Sequence, residues 1–148
     1  YLQDVLDAEL GAGTARVILP ITDPYVAHHG ALGSFATVYV DADKVQSVID
    51  AAGAIDGVTV AIAAAEAGER FELPIDRIGD VVVICDRHKV LGTTAARHDF
   101  SGLTEPLRSH GGLTEQRVPL ISNRPTEVTP DRILRNFDAF DMALNLVR

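Results

Sequence analysis

With 148 residues, 47% of them hydrophobic and 23% charged, the chain has the size and make-up of a globular protein able to bury one sizeable core. A formal net charge of −8 and the lack of any Lys or Arg cluster argue against a nucleic-acid partner. No apolar run approaches the roughly 20 residues that cross a bilayer. The single cysteine, Cys85, excludes an intrachain disulfide and a Cys-rich zinc site and fits a reducing, cytoplasmic setting.

In chain order, Leu2, Val5, Leu6 and Leu10 recur at helical spacing, and Gly11 and Gly13 end the pattern. Ala15 to Leu19 is a short apolar run stopped by Pro20, and residues 35 to 40 alternate with a period near two, so both predict strands. Asp41 and Asp43 suit a helix N-terminus, ahead of an apolar face made by Val45, Val48, Ile49 and Ala52 that stops near Gly53. Val58 to Ile62 predicts another strand, and Glu66 to Phe71 a helix ended by Pro74. Val81 to Cys85 is the strongest strand signal, an apolar run expected to be covered on both faces, with Cys85 as a buried and inert thiol.

Residues 86 to 117 carry few regular patterns, and a stretch of about 30 such residues within a compact domain usually marks a functional loop. Val118 to Ser122 predicts a strand. Thr129-Pro130-Asp131 starts a final helix with Ile133, Leu134, Phe137, Phe140, Leu144 and Val147 along one face. The expected fold class is α+β, one unit over 1–148 in two layers rather than two independent domains.

Within the loop, His110 is followed by Gly111 and Gly112, which allow a tight turn and a close approach to another group, so the imidazole is a candidate metal ligand. The plainer alternative is a histidine in an ordinary loop before an edge strand. Asp86 and His88, at i and i+2, would share one strand face and are candidate partners for His110. His28 and His29 are adjacent and point apart in an extended segment, so they are poor joint ligands. His98 is followed by Asp99, a carboxylate able to fix its tautomer, or else forms a surface salt bridge. Arg87, Lys89, Arg97 and Arg108 bring positive charge to an acidic chain, either as counter-charges for a small dianion or as solvated residues. Gly30, Gly33 and Ser34 lack the context of a nucleotide-binding loop.

Five stretches share a pattern: Ile21-Thr22-Asp23-Pro24-Tyr25, His28 to Ser34, Arg87 to Gly92, Ala96 to Leu103, and Ser109-His110-Gly111-Gly112 leading to Val118-Pro119-Leu120-Ile121. Together they resemble the alkaline phosphatase superfamily, in particular phosphonoacetate hydrolase and its close relatives. Those enzymes run to several hundred residues, so the resemblance implies the C-terminal part of one; the start at Tyr1 rather than methionine agrees. By that resemblance, residues of about 14–105 form a cap-like subdomain of mixed strands and helices. Residues of about 106–148 return to the metal-binding α/β core as its terminal strand and helix.

The resemblance also implies that His110 is one ligand of a two-zinc centre whose other ligands, with the nucleophilic threonine, lie upstream. Thr93, Thr94 and Thr114 are in the wrong context for that nucleophile. His29, Arg97, His98 and Arg108 are the substrate-side candidates. The implied reaction cleaves the carbon–phosphorus bond of phosphonoacetate to give acetate and phosphate. The chain alone is expected to be inactive and to associate with itself or with a missing N-terminal core. Alternatives are a phosphodiesterase or nucleotide pyrophosphatase of the same superfamily, or a noncatalytic, self-associating module that binds a small anion.

Overall fold

In the computed structural model, which describes residues 1–20, 32–98, 100 and 110–147, the chain opens with helix α1 (Leu2–Leu10). Leu2 and Leu6 stand one turn apart on its inner face and are each 1% exposed, as the spacing of the apolar stripe requires. Gly11 closes the helix at φ 93°, a conformation that a Cβ would strain.

Four strands form one antiparallel sheet in the order β1-β2-β4-β3, namely β1 (Ala15–Ile18), β2 (Phe35–Val40), β3 (Val58–Ala63) and β4 (Val81–Cys85). β1 is an edge strand, whose outward N–H and C=O groups need partners. Gln3 supplies them: its side-chain amide donates to the Ala15 carbonyl at 2.9 Å and accepts from the Val17 N–H at 2.8 Å. The other edge, β3, carries a register shift between Val58 and Val60.

All five residues of β4 are buried. Val81, Val83 and Cys85 join Leu2, Leu6, Val17, Ala36 and Val38 in a cluster with Val48 and Ala52 of helix α2 (Val45–Gly53). Val82 and Ile84 face the other way, toward Val60, Ile78 and Ala67 of helix α3 (Ala64–Phe71). A strand covered on both faces has no polar side to show, which is why its sequence reads as an unbroken apolar run. The fold class is α+β, as the sequence predicts, and each helix and strand expected before residue 86 is present.

By internal contacts the chain divides into two compact units, Tyr1–Arg117 and Val118–Arg148. The second departs from the sequence pattern. Val118 to Ser122 is not a strand, and Ile121 is 87% exposed. The long helix expected from Thr129 is reduced to α4 (Asp138–Asp141) and a wider π turn over Met142–Leu146. An amphipathic helix draws most of its stability from whatever covers its apolar face. Here Ile133 and Leu144 are 87% and 81% exposed.

Polar side chains meanwhile bind the backbone in a non-helical form over 132–138. The Arg135 N–H donates to Asp138 Oδ2 at 2.7 Å, and the Phe137 N–H to Asn136 Oδ1 at 2.9 Å. Arg132 bridges Asp138 and Asp141 at 2.8 and 3.0 Å. The Arg135 N–H first and then Arg132 hold the Asp138 carboxyl below its ordinary range, and Asn145 first and then Arg132 do so for Asp141. No described helix is long and apolar enough to cross a membrane.

Candidate functional site

β4 ends at Cys85 and the chain turns at once, with the Lys89 N–H donating to the Asp86 carbonyl at 2.9 Å. The turn closes onto Gly33 and Ser34 at the start of β2. The Leu91 N–H donates to the Gly33 carbonyl at 2.8 Å, and the Cys85 N–H to the Ser34 carbonyl at 2.9 Å. Ser34 Oγ donates to the Lys89 carbonyl at 3.2 Å. A third segment joins the same corner, because the Ser34 N–H donates to the His110 carbonyl at 2.7 Å.

The His110 ring occupies the space that a side chain on Gly33 would need. A Cβ on Gly33 would lie 2.6 Å from Nδ1 and 2.9 Å from Cε1 of the imidazole. Nδ1 is buried there and has no hydrogen-bond partner among the described residues. With Nδ1 sealed by protein, one nitrogen, Nε2, is left to act as a donor to a ligand.

The loop after His110 is held from below. Gly111 takes φ 77°, which favours glycine. The Gly112 N–H donates to Glu115 Oε2 at 2.7 Å, while the Glu115 N–H returns to the Gly112 carbonyl at 3.1 Å. Leu113 packs with Phe35 against the second hydrophobic cluster. In the sequence, Gly33 stands out only within a stretch that lacks nucleotide-loop context, and Glu115 carries little site signal of its own. The spacing of Glu115 three residues after Gly112 matches the second half of a helix-capping pattern and was the available signal.

His98 is buried and takes part in an aromatic stack. Its ring is 6.2 Å from that of Tyr1 and 6.4 Å from that of Phe100, with planes 10° and 9° apart. The Thr93 N–H donates to His98 Nε2 at 3.0 Å, which makes that nitrogen an acceptor and places the ring proton on Nδ1. Arg97 is exposed in the short turn Ala95–Arg97. His28, His29, Asp99 and Arg108 lie outside the described residues.

Asp86 and His88 do not share a strand face. Both follow the end of β4 in the exposed turn, because the Asp86 carbonyl is taken by Lys89 rather than by a neighbouring strand. Lys89 itself pairs with Asp56 at 3.0 Å. Among the described residues no three His, Cys, Asp or Glu side chains are arranged to hold a metal. The candidate grouping of Asp86, His88 and His110 is therefore not assembled among the described residues.

Cys85 is buried, with its thiol 3.1 Å from the Lys89 carbonyl. Burial pushes the thiol above its ordinary range, so little thiolate forms at neutral pH. Labelling by a soluble thiol reagent should be slow in the folded protein and fast in denaturant. Rapid labelling of folded protein would contradict the packing around β4.

No family model matches the chain. It is 54% identical over 41 residues to phosphonoacetate hydrolase of Penicillium oxalicum, an overlap of 26% of this chain and 57% of that sequence. The phosphonoacetate hydrolase of Sinorhizobium meliloti 1021, solved in complex with phosphonoformate and with phosphonoacetate, matches with a TM-score of 0.78 at 58% identity. That match covers 95% of this chain, which spans 34% of the solved enzyme. In sequence and in fold, the chain is similar to phosphonoacetate hydrolase over a segment about one third the length of the solved enzyme.

Proposed function

We propose that the chain is the C-terminal segment of a zinc-dependent hydrolase that cleaves the carbon–phosphorus bond of phosphonoacetate, releasing acetate and phosphate. The observation that carries this reading is 58% identity over 95% of the chain to an enzyme solved with phosphonoacetate bound. The geometry of His110 supports it, since a half-buried imidazole packed on Gly33 with its Nδ1 buried is held in place and leaves Nε2 for a ligand.

A catalytic zinc takes about three protein ligands, so His110 would serve as one ligand beside others supplied by the rest of a longer protein. When bound, zinc supplies Lewis-acid polarisation of the phosphonyl oxygens and activates a hydroxyl nucleophile. The part of this chain is to hold His110 in place. His29, Arg97, His98 and Arg108 remain the candidates for the substrate side. Residues of about 14–105 act as the cap and about 106–148 as the segment returning to an alkaline phosphatase-like core.

This assignment accounts for the exposed Ile121, Ile133 and Leu144, which a larger core or a second copy would cover. The single buried thiol suits a cytoplasmic protein. In this reading the segment on its own is inactive, because the nucleophile and the other ligands belong to the rest of the longer protein.

The test uses the protein at its full encoded length, with zinc measured by elemental analysis and phosphate release from phosphonoacetate followed in the same preparations. The wild type should bind zinc and release phosphate. His110→Ala should weaken zinc binding by at least the roughly 10–100-fold seen when groups that merely support a ligand are removed, and phosphate release should fall with it. Zinc content and phosphate release both indifferent to His110→Ala would overturn the assignment.

A further inference from the structure

We propose that Glu115 is a positioning residue for His110: it closes the loop that carries the imidazole and so holds the ring against Gly33. The role rests on the zinc-ligand reading of His110 above and extends it to a residue that acts through the loop backbone. His110 is followed by two glycines, and Gly111 already stands at φ 77°. Glycines leave the backbone more freedom than any other residue, so nothing local would aim the ring.

Glu115 removes that freedom. Its carboxylate accepts the Gly112 N–H at 2.7 Å, a charge-assisted bond roughly twice as strong as a neutral one. The Glu115 N–H returns to the Gly112 carbonyl at 3.1 Å and closes a ring of backbone and side chain. From that fixed point the chain runs back to His110, whose carbonyl is held by the Ser34 N–H at 2.7 Å. Gly112 is itself packed on Ser34, with room for a Cβ only 3.0 Å from the Ser34 Cβ. His110 is thus pinned on both sides, by Ser34 at its own carbonyl and by Glu115 two residues on.

The experiment compares Glu115→Ala, Glu115→Gln and Glu115→Asp with the wild type in the full-length protein. Zinc affinity is read by competition with a chromophoric chelator, and amide exchange of Ser34 and Gly112 is read in metal-free protein. Glu115→Ala should weaken zinc binding by about 10–100-fold and speed exchange at both amides, while amides of β4 keep their protection. Glu115→Gln, whose side-chain oxygen still accepts, should restore most of both properties. Glu115→Asp, whose carboxylate is one methylene shorter, should fall between them.

Unchanged zinc affinity and unchanged exchange in Glu115→Ala would overturn the proposal, as would a Gln variant no better than Ala. A wild type whose zinc does not depend on His110 would remove the metal reading alone. The exchange of the Ser34 and Gly112 amides would then decide the positioning role: faster in Glu115→Ala supports it, unchanged sinks it.

Discussion

Leu6→Ala should destabilise the Tyr1–Arg117 unit by about 2–5 kcal/mol, among the larger losses expected from truncating a described core residue. Leu6 is 1% exposed and belongs to the cluster that joins α1 to Val17, Val38, Val48 and Val83. Removing its isobutyl group loses the transfer free energy of those atoms and leaves a cavity that relaxes only in part, because α1, α2 and the sheet all border it. The urea midpoint should fall with little change in the slope of the transition. Leu10, at the end of the same helix and only partly buried, should lose less on truncation. A loss below about 1 kcal/mol for Leu6→Ala would mean that α1 is not seated on the sheet as described.

On the proposed zinc-dependent reading, Gly33→Ala in the full-length protein should detach the His110 loop and lower zinc affinity and phosphate release at least as far as the roughly 10–100-fold expected for a lost supporting contact. Gly33 has no left-handed backbone, so alanine meets no conformational strain there, and the effect comes from contact alone. The new Cβ would lie 2.6 Å from His110 Nδ1 and 2.8 Å from the His110 carbonyl oxygen. Both the ring and the backbone must move, and the hydrogen bond from the Ser34 N–H is lost with them. Overpacking of this kind costs about 1–3 kcal/mol.

Gly53→Ala is the control, because its Cβ would meet nothing nearer than the Ala61 Cβ at 4.0 Å. It sits at the end of α2, where alanine should be neutral or mildly stabilising. Zinc affinity and phosphate release that survive Gly33→Ala would show that the close approach of ring to glycine has no part in function.

The sequence by itself determined the elements whose side chains repeat in step with their own backbone. Leu2 and Leu6 mark one face of α1, Val48 and Ala52 one face of α2, and the unbroken run from Val81 to Cys85 marks a strand with no exposed side. Those patterns are local, because burial of a face is written into every third or fourth residue of a helix and every second residue of a strand. The sequence also offered His110 as a candidate, from its glycines and from the family pattern around it, and the structure places its ring against Gly33.

Tertiary structure decided the rest. The order β1-β2-β4-β3 rests on backbone hydrogen bonds, which are the same for every residue type and leave no mark on the side-chain pattern. The hold of Gln3 on β1 and the approach of His110 to Gly33 join segments far apart in the chain. The same dependence explains where the patterns failed. Val118 to Ser122 and the stretch from Thr129 carry the right periodicity for a strand and a helix. An apolar face becomes regular structure only when something covers it, and Ile121, Ile133 and Leu144 remain open to solvent.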